Sequence, residues 1–135
     1  MDTEPTLLIR PRQSMPSTST GRTGGIFVHV GREKDAEGRW INTRPLEHVT
    51  LSGKKGKPLD HHSPDGFEIG YGGSGPSDLA LAICALLGKR NLYMDFKFKF
   101  LARLDRTDYD IPISHIAAML ERIARGEPIS FFDPK

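Results

Sequence analysis

The chain has 135 residues, and its 19 Lys and Arg against 17 Asp and Glu leave a net charge of +2. This length fits one domain that can bury a core without staples. The single cysteine, Cys84, excludes an intrachain disulfide and favours a reducing, cytoplasmic setting. The longest apolar run, Leu79–Leu87, is too short to cross a bilayer, and the first residues lack a signal-peptide pattern, so we expect no membrane association.

The first 23 residues are rich in Pro, Ser, Thr and Gly. A segment with so few apolar side chains buries too little surface to offset the entropy lost on ordering. We therefore predict a flexible arm over residues 1–23, followed by a single compact domain over residues 24–135. Within the arm, only Leu7, Leu8 and Ile9 form a short apolar island that could dock on a partner.

Two β-rich stretches follow the predicted arm. Residues 25–32 are β-branched and aromatic, and residues 39–51 repeat this character around Pro45. Because proline cannot donate to a ladder, the second strand is expected at a sheet edge or with a break there. The polar stretch between them ends at Gly38, which predicts a hairpin.

A glycine-rich turn precedes the most apolar part of the chain. The turn runs from Gly70 to Pro76, and the helix predicted after it covers residues 76–88. Proline is accepted in a first helical turn, and Gly88 is a typical residue just after a helix. The apolar side chains lie on all sides of this helix, so we expect it to be buried, with Cys84 acting as a small hydrophobe.

Residues 94–105 alternate between apolar and charged side chains, starting with Phe96. This period predicts a half-buried antiparallel strand with Phe96, Phe98 and Phe100 towards the core. The charged side chains predicted to share its solvent face are Lys97, Lys99 and Arg103.

The last predicted element is an amphipathic helix over residues 114–125, with Ser114 as its N-cap. Strands and helices do not alternate regularly along the chain, which favours the α+β class over α/β. We expect a small antiparallel sheet of three to four strands, packed on the buried helix and on this C-terminal helix.

The glycine turn raises the question of a nucleotide site, since Gly70, Gly72 and Gly75 match G-x-G-x-x-G. The dinucleotide fingerprint also needs an acidic residue at the end of the next strand, and that strand must be covered on both faces. Asp95 stands at the start of its predicted strand, and the lysines that follow would expose one face of it. We therefore expect no nucleotide cofactor and no other cofactor.

A catalytic turn is only half represented, because Gly72 and Ser74 fit G-x-S-x-G but Pro76 replaces the second glycine. We assign no catalytic residue. The turn is interpreted as a structural device, and a binding nest for an anion or a partner remains open. The residues of that nest are Gly70, Tyr71, Gly72, Gly73, Ser74 and Gly75.

Two further groups of residues bear on metal and nucleic-acid binding. Neighbouring His61 and His62 do not have the spacing of a zinc site, even with Asp60 and Asp65 nearby, so no metal is expected. A basic patch would form if the loop that carries three lysines adjoins the charged strand face, and it could meet phosphates or an acidic protein. An ordinary solvated face is the alternative. The patch consists of Lys54, Lys55, Lys57, Lys97, Lys99 and Arg103.

The G-Y-G-G-S-G-P turn at residues 70–76, the L-A-L-A sequence at 79–82 and the D-F-K sequence at 95–97 resemble an uncharacterised domain family of bacteria, phages and plasmids. The likeness covers roughly residues 25–123 and leaves out the Ser/Thr/Pro-rich arm. It implies a compact domain and a mobile-element setting, and it supplies no catalytic residues.

Three hypotheses follow. The first is a small non-enzymatic interaction protein, carried by a phage or plasmid, that binds a host protein or a nucleoprotein complex; an anti-defence role is a conjecture that goes beyond the resemblance. The second is a nucleic-acid-binding accessory protein that uses the basic patch. The third is a small enzyme that uses the glycine turn with Asp65, Glu68 or Ser74.

Overall fold

The structure is a computed structural model that describes residues 2–11, 26–47 and 67–129. In this part of the chain, five strands form one sheet and three α-helices pack with it, which confirms the predicted α+β class. The strands are β1 (Asp2–Arg10), β2 (Phe27–Lys34), β3 (Trp40–Ile41), β4 (Arg44–Pro45) and β5 (Tyr109–Pro112). The helices are α1 (Ser74–Leu86), α2 (Tyr93–Lys99) and α3 (Ile113–Ala124).

Every ladder of the sheet is antiparallel. The order is β3-β2-β1-β5, and β4 pairs with β2 beyond β3. The predicted hairpin is confirmed, with its turn ending at Gly38. Its second arm breaks at Asn42, whose φ is 54°, and Pro45 lies in the short edge strand that follows. Of the two alternatives predicted from Pro45, the edge position is present, whereas the break lies three residues earlier, at Asn42.

β1 shows that the prediction of a flexible arm is wrong for Asp2–Arg10. This strand pairs with β2 on one side and with β5 on the other. Leu7 and Ile9 are fully buried in the core, and the register shifts around Pro5, where a missing donor is tolerated. Burial of the short apolar island outweighs the polar composition around it. Residues 12–23 of the predicted arm lie outside the described residues.

Trp40 covers the opposite face of β1. Its ring lies so close to Gly31 that a Cβ there would be 2.6 Å from the ring carbon Cε3, and Leu8 is buried beside it. The indole N–H donates to Asp110 at 3.0 Å, and Asp110 also pairs with Arg10 at 2.8 Å. Because of this cover, both faces of β1 are removed from water from Thr6 to Ile9.

Helices α1 and α3 agree with their predictions. Residues 79–84 of α1 are all buried, so the helix is surrounded by protein. It ends where Lys89 and Gly88 donate backbone hydrogen bonds to Cys84 and Ala85, the pattern of a Schellman motif. Burial raises the pKa of the Cys84 thiol to about 12. On α3, the buried stripe is Ile116, Met119, Leu120 and Ile123.

Two predictions are wrong, one for the N-cap of α3 and one for residues 94–105. The N-cap of α3 is Pro112, and the Ser114 hydroxyl instead donates to Glu4 of β1 at 2.8 Å. The strand predicted over residues 94–105 is α2 followed by a 3-10 turn, Leu101–Arg103. Phe96 and Phe100 are one helical turn apart and stack at a centroid distance of 5.4 Å. Packing of this pair into the core selects the helix over the strand.

No helix in the described ranges has the length and apolar character needed to cross a membrane.

We predict that the core-facing side chains of β1 are needed for stability. Ile9→Ala should lower the free energy of unfolding by about 2–5 kcal/mol, because a buried side chain is replaced by a cavity. The matched control in the same strand is Thr3→Ala, at an exposed position, which should stay within about 0.5 kcal/mol of the unmodified protein. Urea denaturation measures both changes. Equal stability of the two variants would show that β1 does not form.

Candidate functional site at the glycine segment

The glycine segment, residues 70–75, changes the direction of the chain just before α1. Gly70 has a φ of 87°, in the left-handed region, and Gly73 is the N-cap of the helix. The helix begins at Ser74, two residues before the predicted start, and Pro76 is buried in its first turn. The predicted turn into a buried helix is confirmed. Within the segment, positive φ occurs at Gly70 and not at Gly72 or Gly73.

Three contacts attach the glycine segment and the residues just before it to the region of α2. The backbone N–H of Gly70 donates to the carbonyl of Leu101 at 3.0 Å. The Glu68 carboxylate pairs with the guanidinium of Arg106. The Lys97 ammonium donates to the carbonyl of Gly72 at 3.3 Å. Contacts from Glu68 to Gly72 fix the first half of the segment relative to α2 and the 3-10 turn after it.

Lys97 is the least expected of these residues, because it is only 4% exposed. Its ammonium donates to the Ser77 hydroxyl at 2.9 Å and lies 4.1 Å from the centroid of the Phe98 ring. The Ser77 hydroxyl donates in turn to the carbonyl of Gly73 at 3.2 Å. A buried charge is costly unless it is hydrogen-bonded, and this network supplies two oxygen acceptors and an aromatic face. The charge thus joins the glycine segment, α1 and α2.

Other glycines of the segment are required by close packing. A Cβ on Gly73 would lie 2.3 Å from the Tyr71 ring, and a Cβ on Gly75 would lie 2.7 Å from the Cβ of Glu68. The chain therefore folds tightly on itself here. The Tyr71 ring lies over Gly73 and its hydroxyl approaches Gly75.

An exposed apolar surface lies on the outside of this network. Tyr71 is 50% exposed, Phe98 is 51% exposed, and Met94, one turn before Phe98 on α2, is 41% exposed. The Phe98 ring would be 3.3 Å from a Cβ on Gly72, so α2 and the segment meet at this point. We call Tyr71, Met94 and Phe98 the aromatic surface. The alternating-strand interpretation missed it because it placed Phe98 in the core; the i,i+4 spacing of Met94 and Phe98 was the signal that could have found it.

The basic patch does not form as predicted. Lys97 points into the protein, whereas Lys99 and Arg103 are exposed. The shared solvent face required a strand, and a helix followed by a 3-10 turn sends these side chains in different directions. Lys54, Lys55 and Lys57 lie outside the described residues.

The side chains of the candidate catalytic serine and of the candidate metal ligands lie outside the described part of the structure. Ser74 occupies the first position of α1, and its side chain is outside the described part of the structure. Asp60, His61, His62 and Asp65 also lie outside it. Among residues 2–11, 26–47 and 67–129, no group of three or more His, Cys, Asp or Glu side chains could hold a metal ion.

The elements around the glycine segment differ from those of a dinucleotide-binding unit. Residues 67–69 before it are not in a strand, and α1 leads through a 3-10 turn into α2. Asp95, which has roughly the spacing of the ribose-binding acid, lies in the first turn of α2. The fingerprint depends on a strand on each side of the helix, so its geometry is not reproduced here.

These elements define a small α+β domain in which a glycine segment, held by a buried lysine, introduces a buried helix. The chain belongs to a family of unknown function, DUF6166, whose model matches residues 30–122. The match includes the glycine segment, α1 and α2, and it agrees with the resemblance to an uncharacterised domain family. No curated protein and no solved structure matches the chain. Any function must therefore be argued from the site.

We predict that the Lys97 ammonium stabilises the fold. Lys97→Met keeps the length of the side chain but leaves Gly72 and Ser77 without their donor, which should cost about 1–3 kcal/mol in the free energy of unfolding. Lys99→Met is the matched control two residues along α2, where the side chain is exposed and the change should stay within about 0.5 kcal/mol. Denaturant titration compares them. Equal stability would mean that the buried network contributes nothing.

A second prediction concerns Gly70. Gly70→Ala should cost about 1 kcal/mol or more, because its φ is positive and a Cβ would lie 3.0 Å from the backbone oxygen of Leu104. Gly38→Ala is the control, since Gly38 has a φ of 81° with nothing within 4 Å of its Cβ position. Thermal melting should show the larger loss for Gly70→Ala. Equal losses would indicate that only backbone strain matters at Gly70.

Proposed function

We propose that this protein is a non-enzymatic interaction protein that binds another protein through the aromatic surface. The observation that carries the proposal is the exposure of Tyr71, Met94 and Phe98 beside the fixed glycine segment. Single exposed apolar side chains are common on proteins, whereas a group of them marks interaction surfaces. Aromatic residues and methionine are also the types enriched at protein interfaces.

The energetic size of the surface supports a central role in a larger interface. A fully buried apolar side chain contributes about 1.5–3 kcal/mol, so three side chains that are each about half exposed could add roughly 2–4 kcal/mol on binding. Association costs at least about 4 kcal/mol in lost motion of the partners. The aromatic surface therefore fits the small set of residues that dominate an interface, with other contacts around it. Because the backbone beneath is already ordered, little further entropy would be lost.

The partner we propose is a host protein or a nucleoprotein complex. This part depends on the resemblance to domains found in bacteria, phages and plasmids, where small proteins act on the machinery of the host. The alternative of a nucleic-acid-binding protein has less support after burial of Lys97, since the described residues of the predicted patch offer only Lys99 and Arg103 to a phosphate. The enzyme alternative has no added support, because Glu68 is held by Arg106.

We predict that Phe98→Ser abolishes capture of the partner from a lysate of the organism that encodes the chain. The reason is loss of the largest exposed apolar side chain on α2. The melting temperature should fall only slightly, because the Phe98 ring is one of three groups that stabilise the Lys97 ammonium and both oxygen acceptors remain. Lys99→Ser is the matched control, because Lys99 is the next residue of α2 and is exposed. Mass spectrometry identifies proteins retained by the unmodified chain and by Lys99→Ser but not by Phe98→Ser.

Two results would contradict the proposal. Capture that survives Phe98→Ser would place the partner on another surface of the molecule. Retention on DNA or RNA that falls steeply with salt, without a protein partner, would favour the nucleic-acid alternative.

A further inference from the structure

An apolar groove lies at the end of α1 opposite the glycine segment. It has a volume of about 520 Å³ and separates the β2–β4 edge of the sheet from the last turns of the helix. The sheet side is formed by Val30, Pro45 and Leu46, and the helix side by Ala82, Ala85 and Leu86.

The groove exists because the side chains of α1 become small here. Leu79 and Ile83 fill the core, whereas Ala82 and Ala85 leave space between the helix and the sheet. Leu86 is half exposed and Val30 is only partly buried, so apolar surface on both walls remains accessible. Burial of that surface by a ligand would be favourable.

Two guanidinium groups stand at the rim. Arg44 pairs with Val30 across the β2–β4 ladder, and Arg32 follows Val30 by two positions, so all three side chains share one face of the sheet. Both arginines are exposed and line the groove, and neither guanidinium group has a hydrogen bond or ion pair with another described residue. Glu47 also lines the groove, which leaves an excess of positive charge there.

We propose that this groove binds an acidic peptide segment of a partner protein. A large apolar side chain of the peptide would enter between Val30 and Leu86, and carboxylates beside it would meet Arg32 and Arg44. Guanidinium groups bind carboxylates in a planar, two-pronged geometry, which suits the exposed pair at the rim. The open side of the groove admits a continuous chain, as in complexes where a peptide lays an apolar face in a groove. This inference does not depend on the aromatic surface.

The test is selection from a displayed library of random linear peptides on the full-length protein. Selected peptides should combine Asp or Glu with Leu, Ile, Phe or Trp. The double variant Arg32→Gln, Arg44→Gln should weaken their binding about tenfold or more, the scale expected for lost hydrogen bonds to charged groups. Ala85→Phe should fill the groove and abolish binding. Arg125→Gln, an exposed arginine at the end of α3, and Phe98→Ser should leave the affinity unchanged.

If Ala85→Phe does not fold, the double variant still tests the inference. Its melting temperature should equal that of the unmodified protein, so that a loss of peptide binding is not a loss of folding. Selected peptides without acidic residues, or peptides that bind the double variant equally well, would overturn the inference. So would saturable binding of dodecanoate at this groove with no acidic peptide selected, because the occupant would then be a small anionic amphiphile. Loss of affinity on Phe98→Ser would place the peptides on the aromatic surface and overturn it as well.

Discussion

The ammonium group of Lys97 holds the glycine segment, α1 and α2 together from a position that is almost wholly removed from water. An amine in such a place must have its donors satisfied, and the acceptors come from backbone and side-chain oxygens that only this turn brings together. Gly72 and Gly73 allow the chain to approach closely enough, and Ser77 completes the network. With Phe96 and Lys97 facing inwards, the next side chain of α2, Phe98, is left on the outside. The aromatic surface is thus a consequence of burying a charge.

The parts of the fold that were predictable from the sequence are those in which the local pattern and the tertiary environment agree. The all-apolar stretch of α1, the hairpin that turns at Gly38 and the stripe of α3 carry such patterns. In α2 they disagree. The alternation of Phe96, Phe98 and Phe100 has the period of a strand, whereas Phe96 and Phe100 also have the i,i+4 spacing of one face of a helix. Only the packing of Phe96 and Phe100 into the core selects the helix over the strand.

The strand β1 was not predicted, and the reason differs from that for α2. Composition averaged over the first 23 residues hides a run of three apolar side chains, Leu7, Leu8 and Ile9, which is enough for one strand when neighbours cover both faces. Those neighbours come from distant parts of the chain, so the sequence around β1 does not predict them. The candidate site was predictable in the same partial way: the glycine turn follows from its residues, while the partner of each turn residue on α2 depends on the tertiary fold.

The central position of β1 has a consequence for the order in which the protein is completed on the ribosome. Arg10 contacts the backbone of Tyr109 in β5 across a sequence separation of 99 residues. β1 must therefore wait, with one edge unpaired, until α1, α2 and β5 have emerged. Contacts of such long range slow folding, and an unpaired apolar strand is prone to association with other chains. β2 follows β1 more closely in the chain, so it is available to cover the other edge of β1 before β5 emerges.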